Sequence, residues 1–90
     1  MGQAVVNPED LRQFAQTLKR FNSTLEQQLS SLGGQLDTLS QSWRDQENRK
    51  FAEEFSEHLK HISRFIEANN QHIPYLMRKA DRIDEYLQQR

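Results

Sequence analysis

Leucines recur every seventh residue along the first half of the chain, at Leu11, Leu18, Leu25, Leu32 and Leu39. A second apolar row runs Phe14, Phe21, then Leu29, Leu36 and Trp43, slipping by one position between residues 21 and 29. Together the rows make a slowly drifting stripe, the pattern of a long packed helix. Period-two alternation is missing from this stretch, so no strand is expected. Asn7 is a capping residue, Pro8 suits the first helical position, and Glu9 and Asp10 favour the positive end of the helix dipole. These signals predict a first helix over about residues 8–41. Gly33 and Gly34 each cost about 1 kcal/mol relative to alanine inside a helix. The stripe continues in phase through both, which reads as a continuous helix with a soft or closely packed spot. A C-cap at Gly33 followed by a loop is the alternative.

Ser42 and Asp45 are both caps for a following helix, placing the reversal at about residues 42–46 and a second helix at about 47–88. That helix carries its own heptads. One row is Ala52, Leu59, Ile66, Ile73, Ala80 and Leu87; the other is Phe55, Ile62, Asn69, Leu76 and Ile83. Asn69 is the polar interruption of this seam, a residue type that fixes pairing register at some cost in stability. An adjacent row, Phe51, His58, Phe65, His72, Lys79 and Tyr86, widens the apolar face beyond what one partner helix needs. Pro74 removes a hydrogen bond and crowds the carbonyl of Asn70. Both rows stay in phase across it, which predicts one kinked helix; a loop at residues 69–72 with Pro74 opening a third helix is the alternative. The expected fold is therefore all-α, one domain over residues 1–90, an antiparallel two-helix hairpin dimerising into a four-helix bundle.

Composition points the same way. Of 90 residues only 34% are hydrophobic and 28% are charged, and the mean hydropathy is -0.97. A small domain buries only about 60% of its unfolded surface, against roughly 1–2 kcal/mol of backbone entropy per residue. Without a cysteine in the sequence, disulfides and thiolate metal sites are excluded, and oligomerisation is the remaining remedy. The charge is balanced, 4 basic and 5 acidic groups in residues 1–45 and 8 of each in residues 46–90. Neither half offers the basic patch that a phosphate backbone requires, so nucleic acid is not expected as a partner. No apolar run approaches the ~20 residues of a membrane span. The opening residues Met1–Val6 have neither the basic region nor the apolar core of a Sec signal peptide, so a protein leaving the cell would be expected to use another route.

A leucine-rich first helix ending in a mid-chain tryptophan, with an aromatic residue eight positions later (Trp43 to Phe51), resembles the Trp-Xaa-Gly (WXG) family of ESAT-like helical hairpins exported by type VII secretion systems. The likeness extends over nearly the whole chain. Two positions depart from the family pattern. Asp45 stands where the family has glycine, giving Trp43-Arg44-Asp45, and Asp tolerates turns and can cap a helix. The C-terminal stretch Tyr86-Leu87-Gln88-Gln89-Arg90 ends in the opposite charge to the family's Tyr-Xaa-Xaa-Xaa-Asp/Glu export signal. The resemblance implies a homodimer or heterodimer with a related hairpin, packed as an antiparallel four-helix bundle.

Trp43, Asp45 and Phe51 form the candidate turn and recognition motif. Trp43 is either an element read by a type VII secretion ATPase or an apolar plug at the hairpin end; both can hold, since an indole can bury its body and present an edge. The candidate hairpin and dimer interface comprises Leu11, Leu18, Leu25, Leu32, Leu39, Phe55, Ile62, Phe65, Ile66 and Ile73. Glu54, His58 and His61 share two helical turns, but they lack a metalloprotease-type spacing and read as a solvated face of i,i+4 pairs, so no metal or other cofactor is expected. His58 and His72 flank the seam, either as a pH-sensitive interface or as ordinary boundary residues. No nucleophile–base set and no phosphate loop is present, and the protein is not expected to be an enzyme. The reading is a type VII secretion substrate or secreted adaptor acting by protein–protein association, secreted without a Sec signal or cytoplasmic before export. An intracellular helical adaptor or chaperone-like assembly module is the alternative.

Overall fold

Helix α1, Pro8–Ser42, starts at the cap that the sequence announces. Asn7 Oδ1 accepts the Glu9 N–H at 2.8 Å, and the Asn7 carbonyl accepts the N–H groups of Asp10 and Leu11. Pro8 occupies the first helical position, where its missing N–H is no loss. The computed structural model describes residues 6–89. The remainder of the opening segment (residues 1–5) and Arg90 of the C-terminal stretch lie outside them. Helix α2, Gln46–Gln88, completes an all-α antiparallel hairpin in which no strand occurs among the described residues.

The contacts fall into two compact units: residues up to Asn22 with those from Ala68 onward, and Ser23–Glu67. In the second unit the chain reverses through Trp43, Arg44 and Asp45. The last turn of α1 is closed by the Trp43 N–H on the Leu39 carbonyl at 2.9 Å. Arg44 Nε donates to the Gln41 carbonyl at 2.8 Å, satisfying another helix-end acceptor. Asp45 caps α2: its Oδ1 accepts the Asn48 N–H at 3.1 Å. The Asn48 amide in turn donates to Ser40 Oγ at 3.3 Å, tying the two helices beside the turn. α1 passes through Gly33 and Gly34 unbroken, and a Cβ at either would meet nothing within 4 Å. Within this chain the pair is not a close contact.

In the first unit Arg12 joins α1 to α2. Its guanidinium contacts Asp81 at 2.8 Å, Asp84 at 2.5 Å and Glu9 at 2.7 Å. The hydrogen bond to Asp81, then those to Asp84 and Glu9, hold the guanidinium protonated well above its ordinary range. Ala15 and Ala80, both fully buried, also belong here. α2 passes through Pro74 as one helix, as the phase of its heptads predicts. At the other level of this unit a polar layer crosses the seam. Asn69 Nδ2 donates to Asn22 Oδ1 at 3.0 Å, and Asn22 Nδ2 donates to Asn70 Oδ1 at 2.9 Å. Asn22 is only 2% exposed.

The two seam rows expected on α2 face inward from Ala52 to Ile83. On α1 the inward row differs from the expected one. It runs Ala15, Asn22, Leu29 and Leu36, continuing to Trp43 just past the helix end, seven apart without a slip, while Phe14 and Phe21 stand outside at 59% and 50% exposure. The leucine row also leaves the seam. Leu11, Leu18 and Leu25 are half-buried, but Leu32 and Leu39 are 40% and 43% exposed, and Gly33 and Ser40 lie further inward. A seven-residue row on a 3.6-residue helix drifts by ~20° per heptad. Over the four heptads from Leu11 to Leu39 that drift carries the row from the seam to its flank.

Candidate interaction surface at the turn

The drift of the leucine row has a chemical result within the turn unit. Leu32 and Leu39 emerge on the same side as Phe51 of α2, and with Leu36, Phe55 and Gln35 they line a groove of about 330 Å³. Only Gln35 among these six is polar. From Gln27 to Leu36 the chain carries no charged side chain at all, so the groove wall on α1 lacks the ionic cover usual on a solvated helix face.

An aromatic chain links this groove to the reversal. Trp43 and Phe51 lie with ring centroids 5.7 Å apart, and Phe51 stacks on Phe55 at 5.5 Å with an interplanar angle of 18°. His58 meets the Phe55 ring edge-on at 6.3 Å. Such spacings are those of attractive aromatic pairs, worth about 0.5–1.5 kcal/mol each beyond area burial. Trp43 is half-buried: it packs on Phe51 while part of the indole stays accessible. Asp45, directly beside it, is the helix cap already described. Among the described residues none has a positive φ. The position that holds glycine in the Trp-Xaa-Gly pattern therefore makes no demand here that only glycine could meet.

Of the residues singled out from the sequence, the turn unit brings Trp43, Phe51, Phe55, Leu32 and Leu39 together. Leu25, Ile62 and Ile66 lie along the α1–α2 seam, Leu11, Leu18 and Ile73 belong to the other unit's seam, and Phe65 is half exposed. His58 and His72 are exposed. No group of three His, Asp or Glu side chains is placed to hold a metal ion among the described residues. No described helix is long and apolar enough to cross a membrane. Sequence reasoning missed Asn22 and the Arg12 cluster. The unbroken seven-residue row through Ala15 and Asn22 was the signal for the first; beyond the local Glu9–Arg12 pair the second has no sequence signal, because Asp81 and Asp84 lie about seventy residues on.

What fold and site define is a small helical hairpin with an indole at its reversal and an apolar groove next to it. A family model, WXG100 (proteins of 100 residues with WXG), matches residues 3–86, and the chain belongs to that family. Its members are small helical proteins of the ESAT-like type VII secretion kind and typically pair as helical hairpins. No curated protein and no solved structure matches the chain.

Proposed function

We propose that this protein works by association with a related helical hairpin, itself or a homologue, as a type VII secretion substrate or secreted adaptor. The observation that carries the reading is the uncharged groove at the turn, where Leu32, Leu39 and Phe51 are each 40% exposed or more. Burying apolar side chains is the dominant favourable term in most protein–protein associations, at about 25 cal/mol per Å². Three large side chains around one groove supply a central anchor for an interface. Membership of a family whose proteins pair as hairpins supplies the kind of partner. Trp43, half-buried beside the groove, is the candidate contact for a secretion ATPase.

Replacing Leu32 and Leu39 together with serine tests the association. Sedimentation velocity is expected to show the native chain associated, alone or with its homologue, and the double variant shifted to a single folded hairpin. A native chain that stays monomeric with every homologue encoded beside it would end the reading. Export is tested separately by following the native chain and Trp43→Ala in cell and culture fractions of the host. Asp45 at the family's glycine position favours the second reading, an adaptor that stays inside the cell. Retention of the native chain in the cell fraction would select it.

A further inference from the structure

Helix α1 has two rows that could pair with Leu11, Leu18 and Leu25 to make a seam. One is Phe14 and Phe21; the other is Ala15 and Asn22. Apolar burial alone selects the phenylalanines. The helix turns the other row inward, leaving both rings half exposed or more. Neighbouring positions lie about 100° apart on a helix. Exchanging the rows therefore rolls the seam by about half that angle, because Leu11, Leu18 and Leu25 are common to both settings. What distinguishes the observed setting is the polar layer: Asn22 receives the Asn69 amide at 3.0 Å and gives its own to Asn70 at 2.9 Å. Among the described residues every buried side-chain nitrogen and oxygen has a hydrogen-bond partner. A rolled α1 would carry Asn22 away and strand the buried Asn69 amide.

We infer that the Asn22–Asn69–Asn70 layer is a rotational lock, which sets the roll of α1 about its axis and thereby keeps the Phe14–Phe21 row out of the hairpin seam. A single buried asparagine fixes register between paired helices by the same means, since its cost when mispaired exceeds its benefit when paired. Here the quantity fixed is which face of α1 becomes surface. The layer is therefore a positioning device for an aromatic row.

The absence of cysteine from the sequence makes disulfide trapping a clean readout. Ala15→Cys is combined in turn with Ile73→Cys, Leu76→Cys and Ala80→Cys. At least one pair is expected to form an intrachain disulfide, seen at monomer mass on a non-reducing denaturing gel. In the N22L/N69L background that cross-link is expected to be lost while circular dichroism remains helical and the urea midpoint does not fall. Adding F14Q/F21Q, which removes the apolar pull of the outer row, is expected to restore it. The lock is overturned if N22L/N69L keeps the cross-link at its native rate, or if the rescue fails. It is equally overturned if N22L/N69L does not fold, since the layer would then be a plain stabiliser, or if no pair traps in the native background.

Discussion

A buried asparagine is a costly choice for a helix seam, and its worth depends on its partner. A typical hydrogen bond contributes about 0.5–1.5 kcal/mol net, but a buried amide left without one costs about 1–3 kcal/mol. Phe14 and Phe21 are already half covered, so full burial of each would add about half of the 1.5–3 kcal/mol for a whole side chain. The two terms are of the same size, which is why the polar layer can hold α1 against its own aromatic row. Asn22→Ala strands Asn69 and is expected to destabilise the protein by about 1–3 kcal/mol in urea unfolding. At the turn, Asp45→Ala is expected to cost about 1 kcal/mol through loss of the cap on the Asn48 N–H, whereas Asp45→Gly costs only a few tenths. Equal losses from the two would show that the Asp45 side chain is not capping. Arg12 behaves differently from both. Its raised pKa gives a contribution that is complete below the ordinary guanidinium range and fades only as pH rises beyond it, so it brings no pH dependence near neutrality.

At the scale of the helix, each element carries residues that work against it. Pro74 sits inside α2 and leaves the Asn70 carbonyl without its usual N–H donor. Pro74→Ala is expected to raise stability by up to about 3 kcal/mol, read as a higher urea midpoint with unchanged slope. A fall would mean that the proline is preferred there for a reason outside the helix ladder. Gly33→Ala should add up to about 1 kcal/mol, because the new methyl group meets open space. These elements were legible in the sequence because their signals are local. Asn7 and Asp45 cap within three residues, and both rows of α2 keep seven-residue time, straight through Pro74. The face of α1 was not legible. Phe14 and Phe21 outrank Ala15 and Asn22 on hydrophobicity, and only the asparagines across the seam reverse that order. The groove was half legible: Leu32, Leu39, Phe51 and Phe55 stood out as apolar, but their meeting depends on how far a long row drifts.

For the molecule as a whole, the proposed association has a thermodynamic signature. Among the described residues Ile66 is the one large apolar side chain that is deeply buried; the other buried apolar residues are Ala15 and Ala80. Binding to the folded form alone stabilises it by mass action. Thermal midpoints are therefore expected to rise with protein concentration, and to stop rising in the variant lacking Leu32 and Leu39. A midpoint independent of concentration in the native chain would make the hairpin self-sufficient.

The guanidinium of Arg12 has one more consequence, which concerns force. It joins the first turns of α1 to the last turns of α2 in a single salt-bridged knot. Tension drawn from either chain end loads that knot first. Once it yields, the helices peel apart level by level, which resists a pull far less than sliding one helix along the other would.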